Sequence, residues 1–334
     1  MKTLFVLLDG AEDHPVPQFG GRKPLEVAET PFIDSLLSDC VSTQGSTYTH
    51  RFINQLFTGS LPRTPRGAIE ALGLNLRMDE GRVAYRLSPA RVSEGWIEWD
   101  YHVDDALEKD IIKKFYSHID VLNPYDPDVL FFLKGRAVIP LNSNEVISLP
   151  CPPMPAPMKY RPDFMWPLIE ELSEELDGLT LMPWGGGKTN REATLHKGVA
   201  PLTVVSNSPT ALGISRALGQ GAVKVDALEE RFPIARDLLE ETNVFLHADE
   251  IDEVSHQRDP ELKVKLLEQL DSLLEDHFHD YKRIALLVDH GTSSVTGEHL
   301  PMEVPVACNY DAGLNKRKIA LSELMPYLLS HSRE

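Results

Sequence analysis

Short, unbroken apolar runs recur along the chain, and each ends abruptly in polar or small residues. Runs of this length suit strands that are buried on both faces, as in a parallel sheet covered by helices. Helical patterns lie between the runs, so the alternation predicts an α/β fold. The apolar runs are residues 4–8, 202–205, 244–246, 284–288 and 304–307, and the helical patterns are residues 163–176, 209–218 and 260–277.

A stretch from about residue 76 to residue 150 breaks this alternation and is rich in Arg, Asp, Tyr and Trp. Its β-like segments are residues 82–86, 96–99 and 129–133. It leaves through five prolines in the eight residues after Leu149, which favour stiff extended backbone and exclude helix. We therefore expect a core made of residues 1–75 and 156–334, and a small inserted α+β domain at 76–155 with a proline-rich exit linker.

The charge balance limits the partners that the chain can take. Its 33 Lys and Arg stand against 51 Asp and Glu, and the net charge of −18 repels nucleic acid and anionic membranes. The apolar run near the start is too short for a signal peptide, so we expect a cytoplasmic protein. The 3 cysteines are widely spaced and odd in number, which excludes a disulfide framework or a CxxC site. Because the net charge is negative, an anionic substrate needs a local pocket of positively charged groups. Oligomeric state is not predicted.

Acids and histidines follow several of the apolar runs directly. The carboxyl ends of parallel strands share one edge of the sheet, so these side chains are expected to converge there. Asp252 and His256 are four residues apart, which can aim a carboxylate and an imidazole at one ion. The whole set suits a pair of Zn²⁺ or Mn²⁺ ions. Its members are Asp9, Asp252, His256, Asp289, His290 and His299.

Ser46 precedes a predicted helix that runs through Thr58. A hydroxyl near a helix N-terminus lies where backbone N–H groups can hold phosphate oxygens, and a bound cation would lower its pKa. Ser46 is therefore a candidate nucleophile, and the alternative is a helix N-cap.

The run Gly185-Gly186-Gly187-Lys188-Thr189 is partly similar to a phosphate-binding loop of nucleotide hydrolases. That motif needs a glycine five residues before Gly187, where this chain has Met182. The remaining interpretation is a glycine turn that presents Lys188 to an anion.

Taken together, these segments resemble the archaeal-type cofactor-independent phosphoglycerate mutases of the alkaline phosphatase superfamily. The matching stretches run from end to end in the family's order. They are residues 7–10, 20–34, Gly45-Ser46 with His50, 66–73, 183–185, 247–256, Asp289-His290 and His299. The resemblance implies an alkaline-phosphatase-like core with a mostly parallel sheet covered by helices. It also implies an enzyme that transfers a phosphoryl group with the help of two divalent metal ions.

The resemblance also implies roles for particular residues. Asp252, His256 and His299 would hold one ion. The other ion would be held by Asp9, Ser46, Asp289 and His290, with Ser46 as phosphate acceptor. A small phosphorylated substrate would be bound by Arg66, Arg86, Lys188 and His50.

Two departures from the family pattern concern the substrate. The family usually has Ser-Asp-Thr-Ala-His where this chain has Ser46-Thr-Tyr-Thr-His50, and arginines of a family segment are missing near Asp100. We therefore expect phosphoglycerate mutase activity to be weak or absent, and phosphate release from a simple ester to be measurable. The leading interpretation is still a phosphoglycerate-mutase-like phosphoryl transfer through phosphoserine, and the alternatives are a metal-dependent phosphatase, a small-molecule phosphotransferase, and a pseudoenzyme that only binds a phosphometabolite.

Overall fold

The computed structural model describes the chain apart from residues 80, 147–155, 158–161, 193, 197–199, 315–317 and 330–334. The chain forms two compact units. The core unit comprises residues 1–62 and 192–334, and the inserted unit comprises residues 63–191.

The strands of both units are numbered here in chain order. They are β1 (Leu4–Leu8), β2 (Val41–Gln44), β3 (Arg82–Ser93), β4 (Trp96–Trp99), β5 (Leu130–Phe132), β6 (Arg136–Asn142), β7 (Ala156–Pro157), β8 (Leu179–Gly187), β9 (Leu202–Ser206), β10 (Gly221–Lys224), β11 (Asn243–Ala248), β12 (Ile284–Val288), β13 (Gly291–Thr292), β14 (His299–Leu300) and β15 (Glu303–Cys308).

The α-helices follow the same order. They are α1 (Pro24–Val27), α2 (Pro31–Leu37), α3 (Thr49–Thr58), α4 (Arg66–Gly73), α5 (Asp105–His118), α6 (Trp166–Glu175), α7 (Pro209–Ala217), α8 (Leu228–Leu238), α9 (Glu250–His256), α10 (Pro260–Phe278) and α11 (Leu321–Leu329). Among the described residues, no helix combines the length and the apolarity that a membrane crossing needs.

The core unit is built on a sheet with the strand order β10-β9-β11-β1-β12-β15-β2. The first five strands in that order are parallel to one another, and β15 pairs antiparallel with both β12 and β2. The expected α/β fold with a mostly parallel sheet is confirmed. All five apolar runs that predicted strands form strands of this sheet.

Helices cover both faces of this sheet, which is why β1 is apolar at every position. Leu4, Val6 and Leu8 join a buried cluster with residues of α2, α8 and α10. On the other face, the ring of Phe245 in β11 lies 5.1 Å from the ring of Phe57 in α3. Each fully buried side chain of this size contributes about 1.5–3 kcal/mol.

The starts of two core helices illustrate local control by sequence. Asp259 caps α10, because its carboxylate accepts a hydrogen bond of 2.9 Å from Leu262 N. Helix α2 begins at Pro31, but the Thr30 hydroxyl makes no cap and instead donates to Asp34 Oδ1 at 3.2 Å. Pro31 has no N–H group to satisfy, and the next two N–H groups, of Phe32 and Ile33, donate to the Asp271 carboxylate of α10 at 3.3 and 2.7 Å.

The inserted unit is an antiparallel sheet packed with helices, which confirms the expected α+β composition. Its strand order is β5-β6-β3-β4-β7, and β8 also pairs with β3. The long strand β3 is the centre, because β6, β4 and β8 all pair with it. Its core joins Tyr85 and Leu87 with Ile111 and Phe115 of α5 and Leu172 of α6.

The inserted unit extends beyond residues 76–155 at both ends. Helix α4 belongs to it, because Ala68 and Ala71 pack on Ala84 of β3 and Val138 of β6. Strand β8 also belongs to it through its pairing with β3. Most of the proline-rich linker lies outside the described residues, and Ala156–Pro157 at its end forms β7 against β4.

Candidate metal centre

Three adjacent strands of the core unit end at the same level. In the sheet register, Leu8 of β1 stands beside both Ala248 of β11 and Val288 of β12. Asp9 follows β1, and Asp289 and His290 follow β12. The chain after β11 enters α9, which carries Asp252 and His256. The expected convergence of these side chains therefore occurs in the structure.

Asp9, Asp289 and His290 form one group. All three residues belong to the core unit, and their side chains are buried. Each offers a ligand atom within 4.8 Å of the other two. His290 Nε2 lies 3.4 Å from Asp9 Oδ1 and 3.5 Å from Asp289 Oδ2. Asp289 Oδ1 is anchored, because it accepts hydrogen bonds from Gly10 N and His290 N.

A second group is formed by Asp252, His290 and His299, which also lie within 4.8 Å of one another. His256 stands beside it. The Nε2 atoms of His256 and His299 are 3.2 Å apart, and they lie 3.2 Å and 3.6 Å from the two oxygens of Asp252. The His256 ring is oriented by a contact of 2.7 Å between its Nδ1 and Gly297 O.

The spacing of these donor atoms fits metal ions. Ligand atoms about 2.0–2.1 Å from a tetrahedral ion are about 3.3 Å apart, and the separations here are close to that value. Asp289 Oδ2 and His290 Nε2 are buried, and neither has a hydrogen-bond partner among the described residues. Buried polar atoms normally have partners, so these two are suited to a cation.

The electrostatics of the groups also favour a cation. Burial raises the pKa of Asp9 well above its usual range, and the charges of Asp289 and Asp252 raise it further. Burial lowers the pKa of His290, which favours the neutral imidazole, the form that binds a metal. Burial would raise the pKa of Asp252, but His256 and His299 hold it well below its usual range.

Ser46 lies next to these groups. Its backbone N–H donates to Asp289 O at 2.8 Å, and its hydroxyl donates to Tyr48 O at 3.2 Å. A Cβ on Gly45 would lie 2.8 Å from Asp289 O, so the preceding residue must be glycine for this approach. The N-cap position of α3 is Tyr48, so the alternative of an N-cap at Ser46 is wrong.

Two residues that hold Asp9 were not identified from the sequence. His247 in β11 is completely buried, with Nε2 2.9 Å from Asp9 Oδ2 and Nδ1 2.9 Å from Ser206 Oγ. The Thr49 hydroxyl lies 3.1 Å from both oxygens of Asp9. The signal for His247 was its place near the end of an apolar strand, the same rule that selected Asp9. Thr49 carried no comparable signal.

His50, predicted to bind substrate, lies in the core unit in the first turn of α3. Its ring centre is 5.8 Å from that of Tyr48, and the Tyr48 ring is 6.0 Å from that of His299. His50 is therefore linked to the second group through an aromatic contact.

Arg66 and Arg86 come together in the inserted unit, where both contact Glu70. The buried Glu70 carboxylate accepts from Arg66 Nε at 2.6 Å and from Arg86 Nη1 at 2.5 Å. Arg86 also lies 4.4 Å over the ring of Phe132. Arg136 of β6, which the sequence analysis did not select, is close enough to act on the charge of Arg86. One buried carboxylate therefore contacts two guanidinium groups, and a third lies near them.

Lys188 is exposed at the end of β8, and the glycines before it do not form the expected turn. They extend β8 and allow close packing against their neighbours. A Cβ on Gly186 would overlap the Tyr85 ring, and one on Gly187 would overlap the Pro65 ring. The absence of side chains at these positions therefore serves strand packing.

The core unit has an alkaline-phosphatase-like fold, and the two ligand groups at the edge of its sheet are similar to a metal centre. Residues 222–324 match the model of the Metalloenzyme superfamily, and this span contains Asp252, His256, Asp289, His290 and His299. Among the metal ligands expected from the sequence, Asp9 and Ser46 lie outside it.

Curated relatives show which proteins this chain resembles over most of its length. The chain is 24% identical to 2,3-bisphosphoglycerate-independent phosphoglycerate mutase 2 of Methanocaldococcus jannaschii, over 90% of this chain and 84% of that protein. It is 24% identical to the 2,3-bisphosphoglycerate-independent phosphoglycerate mutase of Pyrococcus furiosus, over 91% and 87% of the two chains. The resemblance to the archaeal cofactor-independent phosphoglycerate mutases is therefore confirmed.

Solved structures show the same fold. The PH0037 protein of Pyrococcus horikoshii superimposes with a TM-score of 0.68 at 17% identity, covering 98% of this chain and 96% of that one. A cofactor-independent phosphoglycerate mutase of Thermoplasma acidophilum gives a TM-score of 0.53 at 19% identity, covering 98% and 99%. The expected alkaline-phosphatase-like core is confirmed.

Proposed function

We propose that this chain transfers a phosphoryl group through a phosphoserine at Ser46, with two divalent ions, Mn²⁺ or Zn²⁺, on a small phosphorylated metabolite. The observation that supports the proposal is the 2.8 Å hydrogen bond from Ser46 N to Asp289 O, which joins the Ser46 backbone to a residue of the first ligand group. The relatives named as phosphoglycerate mutases support a mutase-like reaction.

The two ion positions would be held by different residues of the core unit. Asp9, Ser46, Asp289 and His290 would hold one ion, and Asp252, His256 and His299 the other. When bound, the ions would neutralise phosphate charge and lower the pKa of the attacking hydroxyl. His247 and Thr49 would keep the Asp9 carboxylate in its orientation.

In the chemical step, Ser46 Oγ would form a bond to phosphorus while the bond from phosphorus to the substrate oxygen breaks. The Ser46 proton would pass to solvent, and the leaving substrate oxygen would take up a proton from solvent to become an alcohol. In a second transfer, the bond from Ser46 Oγ to phosphorus would break while a bond forms to a different hydroxyl of the same molecule in a mutase, or to water in a phosphatase.

Arg66 and Arg86 would bind the anionic groups of the substrate. Guanidinium groups can bind carboxylate and phosphate oxygens through two parallel hydrogen bonds, and each guanidinium carries a positive charge that attracts an anion. His50 and Lys188 remain predictions for substrate binding. A cytoplasmic location likewise remains a prediction from the sequence.

A phosphatase is the second candidate function. A mutase must retain the dephosphorylated alcohol, and this chain has no arginine in the segment 99–102, where its relatives in the resemblance carry them. Arg136, which lies 5.4 Å over the ring of Tyr101, supplies one guanidinium near that segment.

Quenched turnover with 3-phosphoglycerate and Mn²⁺ tests the proposal. We expect peptide mass analysis to find phosphate on Ser46, and Ser46→Ala to lose activity by several orders of magnitude. Thr47→Ala, which removes a neighbouring hydroxyl, is the matched control and should remain active. Phosphate on Thr47 or Thr49, or an active Ser46→Ala variant, would contradict the assignment. Following 2-phosphoglycerate and free phosphate in the same assay distinguishes mutase from phosphatase.

A further inference from the structure

Thr292 contacts both of the ligand groups described above. It lies in β13, two residues after His290, and its side chain is completely buried. Its Oγ1 is 2.5 Å from Asp252 Oδ1 and 3.2 Å from His290 Nδ1. One hydroxyl therefore contacts a carboxylate of the second group and the imidazole that both groups share.

The two hydrogen bonds of the Thr292 hydroxyl can be assigned a donor and an acceptor each. His290 Nε2 faces Asp9 and Asp289, so a metal-binding His290 carries its proton on Nδ1. That Nδ1–H then donates to Thr292 Oγ1. The Thr292 hydroxyl proton must go to Asp252 Oδ1, because an ionised carboxylate only accepts.

The surrounding structure prevents Thr292 from moving away. Lys263, which is completely buried, donates from Nζ to Thr292 O at 2.7 Å and to Gly10 O at 3.0 Å. A Cβ on Gly10 would lie 2.7 Å from Asp252 Oδ1 and 2.8 Å from Thr292 Oγ1. The residue after Asp9 must therefore be glycine if the hydroxyl and the carboxylate are to meet.

We propose that Thr292 is a positioning residue that couples the two ion positions, by fixing the His290 tautomer and the Asp252 carboxylate through one hydroxyl. This inference rests on the proposed two-ion function. An ion held by Asp9, Asp289 and His290 would fix the orientation of the His290 imidazole. The Thr292 hydroxyl, which is hydrogen-bonded to that imidazole, would then fix the orientation of the Asp252 carboxylate. Binding of the first ion therefore favours binding of the second.

Calorimetric titration of Mn²⁺ into the full chain, stripped of metal by a chelator, tests the coupling without measuring activity. Loss of a residue that orients a metal ligand typically costs 10–100-fold in affinity. We expect that loss, at both ion positions, in Thr292→Val, which keeps the shape and removes the hydroxyl. Thr292→Ser should bind both ions with an affinity close to that of the wild-type chain, because it keeps the hydroxyl.

Thr43→Val is the matched control. Thr43 is completely buried in β2, and its hydroxyl has no hydrogen-bond partner among the described residues. Its loss should leave both affinities unchanged. Wild-type affinities in Thr292→Val would overturn the coupling while leaving the two-ion function intact. A wild-type chain that binds fewer than two ions would instead overturn the proposed function, and the coupling with it.

A second measurement needs no variant at Thr292. In the Zn²⁺-loaded wild-type protein, long-range ¹H–¹⁵N NMR with labelled histidine reports which ring nitrogen of His290 carries the proton. We expect the proton on Nδ1. A proton on Nε2 would reverse the order of donors and refute the proposal.

Discussion

Glu70 is the shared counter-ion of two arginines in the inserted unit, and its replacement by glutamine tests how that cluster is stabilised. The completely buried carboxylate contacts Arg66 and Arg86. Burial alone would raise the pKa of Glu70, but the charges of Arg86 and Arg66 lower it from 4.5 to about 2. A pKa lowered this far corresponds to about 3 kcal/mol of stability at neutral pH.

The pH dependence follows from the direction of this change. Because the pKa of Glu70 is lower in the folded protein than in the unfolded chain, its contribution is present above the unfolded value of 4.5 and is lost as the pH falls through about 2. Glu70→Gln removes the charge at every pH. We therefore expect it to lower the free energy of unfolding by about 3 kcal/mol near neutral pH, and by about 1 kcal/mol near pH 3.

Tryptophan fluorescence during urea unfolding reports the stability of the inserted unit, which contains Glu70. All 4 tryptophans lie in the inserted unit. They are Trp96, Trp99, Trp166 and Trp184. Glu175→Gln is the control, because Glu175 pairs with Lys114 at 2.9 Å on the surface, and its urea midpoint should not change. An equal loss in Glu70→Gln at both pH values, or no loss at neutral pH, would refute the reasoning.

Two further predictions concern the metal centre and the packing of β8. Asp252→Asn combined with His256→Ala should leave one bound Mn²⁺ or Zn²⁺ per chain by elemental analysis, because these side chains would hold only one ion. Retention of two ions would contradict that assignment. Gly186→Ala should lower the stability of the inserted unit by about 1–3 kcal/mol, because its Cβ would overlap the Tyr85 ring. An unchanged urea midpoint, read by tryptophan fluorescence, would show that the strand adapts.

Five of the seven strands described in the core sheet could be predicted from the sequence, because burial on both faces of a strand is recorded locally as an unbroken apolar run. The runs at residues 4–8 and 284–288 are strands β1 and β12. The glycines before Lys188 were interpreted as a turn, because their pattern does not record the Tyr85 ring that packs on them. The unit boundaries differ from those expected, because β8 joins the inserted unit by pairing with β3, far away in sequence.

The sequence by itself determined which acids and histidines end the strands, and so which residue types meet at one edge of the sheet. Only the tertiary structure decided which atoms are in contact. His247 holds Asp9, and Thr292 joins Asp252 to His290, across separations of 238 and 40 residues. These contacts depend on the strand order β11-β1-β12 and on a buried Lys263 that fixes two loops. Side-chain packing across the whole sheet sets that order, and periodicity along the chain does not record it.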